Sequence, residues 1–431
     1  MIRLHPIPET QHACPYCNTS LQVRGWYIPG MRNLAELVCE QCGRQYYGDL
    51  PAGHGLAYPM LLEQGTGVVH DARGVGWFAE LLASSYKDRV TSPLGFTVES
   101  FRPLRRPVLL NCLDMFYGHC LLKLLNAQYY LDHHPDVDLI VMVPGFLRWM
   151  VPEGVASIWT VDLPLRRGQE WNDWLADEIR RQLESIEACG LSVAFSHPHP
   201  EDYDITRFTG VRAFANDEWI SNRKRPVITF IWREDRLWSA VPGRDQRRKL
   251  GSRMKRSDSA LDRQRQHVEA LAQALHSQFP NMDFAVAGLG QPGGLQPTIT
   301  DLRTLDLNES AERAWCERYA RSSVVIGVHG SGMLLPSAHA GAVVDLVPQD
   351  RWGNLGQDIL SNSRDVTEAM FRFLFLPVDT PPAVVTEVTA SVIREFPYIQ
   401  LNFERPWNDH KSLEKDPRLV VKRFDEIRKS A

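Results

Sequence analysis

The sequence predicts an α/β protein built on parallel sheets, and three observations point there. Short apolar runs recur along most of the chain, at 107–112, 138–143, 155–161, 191–195, 226–232, 282–289, 324–328, 342–347 and 371–378. Several are apolar at nearly every position, as in strands buried on both faces. Helical stretches separate them, such as 119–131, whose apolar face is Leu121, Leu122, Leu124, Leu125 and Tyr129. Strands that alternate with helices form a parallel sheet. At 431 residues the chain favours two or three domains over one.

Taken in order, the chain opens on two cysteine pairs. Cys14-Pro-Tyr-Cys17 and Cys39-Glu-Gln-Cys42 stand 21 residues apart. The pattern is similar to a zinc ribbon, in which two knuckles supply four thiolates to a tetrahedral Zn2+. The spacer is one residue longer than the usual ~15–20. Gly43 fits a knuckle turn, and 21–23 and 37–38 can form short flanking strands. We expect a small ribbon domain over 1–52, with Cys14, Cys17, Cys39 and Cys42 holding a structural zinc as a folding staple. A redox role would need a thioredoxin-like context that is absent. The other four of the eight cysteines are scattered, so the set is no disulfide framework.

Residues 53–72 are glycine-rich and read as a link to the main body, and 78–86 reads as a helix. The first α/β domain is expected over 73–215. Its first strand, 107–112, runs into a loop at 113–118 and then the helix. His119 therefore falls at a strand's carboxyl end and a helix start, a usual active-site position. Asp114 lies in the same loop. Either is a candidate general base, and a surface histidine is the alternative.

Residues 201–225 read as the connection to a second α/β domain, 222–400. That domain opens on the strand 226–232, followed directly by Arg233-Glu-Asp-Arg236. The stretch 244–256 carries seven basic residues, one acid and no aromatic ring. It reads as a solvated loop able to attract a polyanion, and the lack of rings counts against single-strand nucleic acid. A helix at 261–279 follows, then 290–304 as mostly loop, then a helix to 320 with Ser310 as N-cap. A helix is expected at 382–395, and a polar tail, 401–431, ends in a helix over 417–429.

The most informative stretch is 322–348. An apolar strand, 324–328, is broken by His329-Gly330-Ser331-Gly332. Residues 333–340 have room for about two helical turns, Gly341 suits a helix C′ position, and 342–347 is a second buried strand containing Asp345. A glycine turn between a parallel strand and a helix start is where anions bind, because free amides and the helix dipole face the ligand. Gly332, without a side chain, would let a phosphate approach, and Asp345 could accept hydrogen bonds from a ribose. The arrangement suits a nucleoside diphosphate, and equally a tight turn with no ligand.

This segment resembles the C-terminal signature of glycosyltransferase family 61. The signature is an apolar strand, Gly-x-His-Gly-Ala-Gly-Leu, a short helix, and a strand ending in an acidic residue and proline. Gly327-Val328-His329-Gly330-Ser331-Gly332-Met333 matches with Ser for Ala and Met for Leu. Asp345 stands where the family usually has Glu. Tyr117-Gly118-His119 is similar to a looser family feature, a turn and a histidine opening a helix in the N-terminal domain. The close match covers one segment. The resemblance implies two Rossmann-like domains of the glycosyltransferase B type. It implies inverting transfer from a nucleotide sugar to a glycan or other hydroxyl acceptor, in bacterial surface polysaccharide synthesis. It also implies an arginine after the first strand of the second domain that faces the donor phosphates. Arg233 is the match and Arg236 the reserve. The donor set is then Arg233, Arg236, His329, Gly330, Ser331, Gly332 and Asp345. No Asp-x-Asp pair stands immediately before the signature, so no obligatory catalytic metal is expected.

Composition sets outer bounds. The 44% hydrophobic and 23% charged content is ordinary for a soluble globular protein. A net charge of −4 argues against nucleic acid as a partner. No apolar run approaches a membrane span, and the opening residues carry no apolar leader. We expect a cytoplasmic protein with at most peripheral membrane contact. Two other readings remain open. One is an inactive relative that binds a nucleotide or glycan as a scaffold, separable by assaying sugar transfer. The other is a nucleic-acid-associated protein led by the ribbon, separable by salt-dependent binding.

Overall fold

Eight of the nine apolar runs form strands, whereas 191–195 only touches one that ends at Leu191 and is otherwise irregular. The structure, a computed structural model, describes residues 1–71, 73–196, 198–199, 202–215, 218–238, 258–360 and 366–403. The basic stretch 244–256 and the tail beyond 403 lie outside the described residues. The chain divides into two units, Met1–Phe208 and Thr209–Ala431.

The N-terminal unit holds eleven strands among the described residues: β1 (Ile2–His5), β2 (Gln22–Tyr27), β3 (Leu34–Val38), β4 (Gln45–Asp49), β5 (Met60–Glu63), β6 (Val69–Asp71), β7 (Phe96–Ser100), β8 (Pro107–Asn111), β9 (Asp138–Pro144), β10 (Ser157–Val161) and β11 (Cys189–Leu191). One sheet runs β1-β11-β8-β9-β10-β7. Its four central strands are parallel, and β1 and β7 close the edges antiparallel. Every residue of β8 is buried, as the continuous apolar run requires. The helices are α1 (His54–Ala57), α2 (Gly76–Lys87), α3 (Tyr117–His133) and α4 (Asp173–Leu183). Asn172 caps α4 by accepting from the Leu175 amide.

The second sheet of this unit is an antiparallel meander, β2-β3-β4-β5-β6. Residues 53–72, expected as a link, supply α1, β5 and β6. All four residues of β5 are buried, and pairing with β4 satisfies its backbone. Glycines there mark turns between short elements.

The C-terminal unit holds β12 (Val227–Trp232), β13 (Asp283–Leu289), β14 (Thr300–Thr304), β15 (Val324–Val328), β16 (Ala342–Val347) and β17 (Phe373–Pro377). They form one sheet, β14-β13-β12-β15-β16-β17, parallel at every pairing. Ranked by position in this unit, the order is 3-2-1-4-5-6, the doubly wound arrangement. Its direction reverses between β12 and β15. The helices are α5 (Ile205–Thr209), which crosses the boundary, then α6 (Glu218–Asn222), α7 (Asp258–Gln278), α8 (Glu309–Arg321), α9 (Leu334–His339), α10 (Val366–Arg372) and α11 (Pro382–Phe403). No helix among the described residues is long and apolar enough to cross a membrane.

Three local expectations are corrected. β14 lies within the stretch expected as loop. The N-cap of α8 is Asn308, which accepts from the Ala311 amide at 3.0 Å, and Ser310 lies inside the helix. Asn and Ser cap equally well, and the sequence offers both within three residues. Gly341 takes no left-handed conformation, and the cap of α9 is Ala340 in extended backbone.

Candidate functional site

Ligands of doubly wound sheets bind beyond the carboxyl ends of the strands, where the strand order reverses. In the C-terminal unit that point lies between β12 and β15. Arg233 to Arg236 leave β12 there, and His329 to Gly332 leave β15. Gly330 has φ of 140°, a conformation that favours glycine. A Cβ on Gly330 would also overlap the Arg233 guanidinium. Arg233 donates to the His329 carbonyl at 2.9 Å, and Arg236 donates to the same oxygen. Two side chains thus brace one peptide of the turn.

Arg233 is otherwise committed, since its Nε and Nη2 donate to the Asp235 carboxylate at 2.8 and 2.6 Å. Arg236 is pushed below its ordinary pKa by burial and by the Arg233 and Arg351 cations. An anion would relieve that crowding. Arg351 comes from the 3-10 turn Gln349–Asn354 after β16. Its Nε is buried without a hydrogen-bond partner, 3.6 Å from Asp350. The sequence singled out Arg233 first and Arg236 second. Arg233 is the more occupied of the two, and Arg351 is a further cation beside Arg236. Arg233 came from the family resemblance, which places an arginine after the first strand of that domain and points to no residue after β16.

Asp345 is fully buried in β16, and its Oδ2 lies 2.6 Å from His329 Nδ1. A carboxylate with no exposed surface does not meet a ribose, so its contact is the histidine behind the turn. Burial raises its pKa, partly offset by the His329 hydrogen bond. His329 Nε2 lies 3.3 Å from the Asp358 carboxylate without hydrogen-bond alignment. The glycine that the backbone requires is Gly330. A Cβ on Gly332 would meet nothing within 4 Å, so the space in front of it is open. Ser331 and Gly332 begin the 3-10 turn Ser331–Met333 that leads into α9.

The N-terminal unit carries a second cluster, centred on Asp114. Its carboxylate is fully buried and takes five donors. Oδ2 accepts from His54 Nε2 and Lys123 Nζ, each at 2.8 Å. Oδ1 accepts from His119 Nδ1 at 3.2 Å and from the Met115 and Phe116 amides at 2.8 and 3.3 Å. Burial alone would raise the Asp114 pKa, but Lys123, His54 and the hydrogen bonds together hold it well below the carboxylate range. Such a group is a poor base, so the expectation of Asp114 as base is corrected to an anchor. His119, donating from Nδ1, presents Nε2 as its acceptor nitrogen, and its side chain is partly exposed. Burial pushes His54 below its ordinary value despite the carboxylate. His54, Asp114 and His119 stand close enough to hold a cation, but the buried Lys123 ammonium already balances Asp114 and would repel one. His54 was missed because its segment read as a link, and Lys123 because it sits in the apolar run Leu121–Leu125.

The four paired cysteines converge. Cys14 Sγ and Cys42 Sγ are 3.7 Å apart, Cys17 Sγ and Cys39 Sγ 3.4 Å, and all four sulfurs lie within 4.8 Å of one another. Bonds of about 2.3 Å in a tetrahedron give sulfur edges of about 3.8 Å, so this cluster could bind a metal ion.

No protein-family model matches the chain, and no curated protein does. Among solved structures, the chain is similar to E. coli ADP-heptose lipopolysaccharide heptosyltransferase II, with 11% identity and a TM-score of 0.35, over 67% of this chain and 99% of that one. It is similar to the accessory secretory proteins 1, 2 and 3 of Streptococcus pneumoniae at 8% identity and 0.27, over 92% and 66%. A trehalose-6-phosphate synthase follows at 10% and 0.20, over 83% and 94%. Each score is below 0.5, too low to carry either fold or function from those proteins to this chain.

Proposed function

We propose that this chain is an inverting glycosyltransferase that takes its sugar from a nucleoside diphosphate donor. One observation carries the reading: Arg236, Arg351 and the Gly330 turn converge at the carboxyl ends of β12, β16 and β15, at the switch point of a doubly wound sheet. In the transfer, an acceptor oxygen bonds to the anomeric carbon as the bond from that carbon to the diphosphate breaks. The electron pair leaves on the diphosphate, and a general base, for which the sequence offers His119, takes the acceptor's proton. Guanidinium groups fixed in advance stabilise the charge that grows on the leaving group. Arg233 serves mainly by bracing the turn. The likeness of 327–333 to the family 61 signature supports inversion and a hydroxyl acceptor. The four cysteines would hold a structural Zn2+ that fastens 14–17 to 39–42.

Calorimetry of the full chain with UDP, GDP, ADP and dTDP tests the donor site. At least one should bind. A hydrogen bond to a charged group contributes about 1.5–3 kcal/mol, so Arg351→Ala or Arg236→Ala should weaken it by roughly one to two decades. If the wild type binds none of the four, the turn is only core and the reading fails. Binding without sugar transfer to any acceptor would make the chain a scaffold.

A further inference from the structure

The four paired cysteines are not equally sheltered. Cys14 and Cys39 are 2% and 0% exposed and pack in the core of their unit beside Leu37 and Tyr46. Cys17 is half-buried, and Cys42 is exposed. The second knuckle makes the difference. The Cys39 carbonyl accepts from the Gly43 amide at 2.8 Å, and the turn so closed carries 40–44 outward as an exposed tip. Gly43 holds the tip with φ of 73°, a left-handed conformation that favours glycine. The remaining cysteines, Cys112, Cys120, Cys189 and Cys316, are buried. Of the eight, Cys42 alone is exposed. Its sulfur stands 3.7 Å from Cys14 Sγ, which belongs to the other knuckle.

We propose that Cys42 is the chain's site of thiol oxidation, where hydrogen peroxide opens the metal centre. The proposal rests on the metal reading of the four cysteines and not on the glycosyltransferase reading. A thiol that coordinates is deprotonated outright, so Cys42 presents the reactive thiolate at the surface. Its sulfur bonds to one peroxide oxygen as the O–O bond breaks, and the other oxygen leaves as hydroxide. Cys42 becomes a sulfenic acid, and the peroxide is reduced. The Cys14 thiolate then attacks that sulfur. The S–S bond forms, the S–O bond breaks, and a second hydroxide leaves. The centre has then lost two of its four ligands, and the two thiolates left do not fill a tetrahedral site. The new bond joins 14–17 to 39–42, the same segments that the metal fastens. Oxidation thus exchanges one cross-link for another, and the sheet keeps its closure. Cys17 and Cys39 form the alternative pair, 3.4 Å apart, but neither is exposed, so peroxide reaches Cys42 first.

The test uses the full chain, purified without a histidine tag, with its zinc content measured first. Hydrogen peroxide in equal amount should release the zinc to a metallochromic dye. Peptide mapping should then find a disulfide between Cys14 and Cys42, with the other cysteines reduced. Dimedone, present during the reaction, should trap the sulfenic acid on Cys42 and on no other residue. Dithiothreitol and zinc together should restore the starting metal content. Cys42→Ser removes a ligand as well as the reactive thiol, so labelling of the native wild type is the second measurement. N-ethylmaleimide should modify Cys42 at least roughly tenfold faster than any other cysteine. Zinc that stays bound under peroxide, a first adduct on another cysteine, or a disulfide between Cys17 and Cys39 overturns the proposal and leaves the metal assignment standing. A chain that holds no zinc as purified overturns both. Neither result touches nucleoside diphosphate binding, which is proposed for the other unit.

Discussion

Asp114 takes five donors on its two oxygens, and that decides what its removal does. Asp114→Asn leaves the buried Lys123 ammonium without its counter-charge, which costs about 3–5 kcal/mol and should appear as a lower denaturation midpoint. His119→Ala leaves Asp114 satisfied by its other partners. It should lower turnover by roughly 10²- to 10⁴-fold with donor affinity unchanged, and full activity in that variant would remove the base assignment. The pH dependence follows from the direction of each shift. The folded Asp114 pKa is depressed, so its contribution is present above the unfolded value of about 3.9 and is lost as pH falls through the folded value. Asp345 has a raised folded pKa, so its contribution is present below about 3.9 and is lost as pH rises through the folded value. Midpoints measured against pH in Asp114→Asn and Asp345→Asn should therefore diverge from wild type in opposite directions. The turn offers a further contrast. Gly330→Ala is strained in φ and meets Arg233, whereas Gly332→Ala enters open space. Gly330→Ala should be the less stable of the two, while Gly332→Val should lose nucleoside diphosphate binding with its melting temperature kept. The sequence could name the turn, His119 and Asp114, because each lies just past an apolar strand. It could not show that His54, sixty positions from Asp114, completes the cluster, nor which glycine the backbone needs.

Elements were legible where burial is continuous. The strands β12, β13, β15 and β16 are apolar runs because both sheet faces are covered, and each was expected within a residue or two of its position. The meander was not, because β5 and β6 are four and three residues long and lie among glycines that read equally well as a linker. Their identity rests on pairing with β4, a long-range choice that local pattern does not encode. Helix starts are the other weak point. The α8 cap is Asn308, so Asn308→Ala should cost about 1 kcal/mol, while Ser310→Ala should change stability by a few tenths at most, measured as denaturation midpoints. Equal effects from the two would return the cap to Ser310.

Each unit has a core of its own, so each should answer to its own ligand. The N-terminal core gathers β1, β8, β9 and β10 side chains with Cys14, Cys39 and Tyr46 from the cysteine sheet. The C-terminal core is built from β12, β15 and β16 with α7 and α11. A metal at the four thiolates therefore stabilises the first unit, because the ligand set is assembled only when that sheet is folded. A nucleoside diphosphate held at the proposed donor site would stabilise the second by mass action. At a hundred times its dissociation constant it contributes about 2.7 kcal/mol, and for a unit of this size that is roughly 5–10 °C in melting temperature. Scanning calorimetry of the full chain should thus resolve two transitions. A strong zinc chelator, or Cys39→Ser, should lower one of them and leave the other in place. The nucleoside diphosphate should raise the second alone, and Arg351→Ala should cancel that rise without touching the chelator response. If zinc content is near zero and Cys39→Ser melts like wild type, the metal assignment fails while the donor site stands. If the nucleotide moves the chelator-sensitive transition, the donor site is not at the β12–β15 switch point, because the ligand would then be held by the unit that contains neither strand.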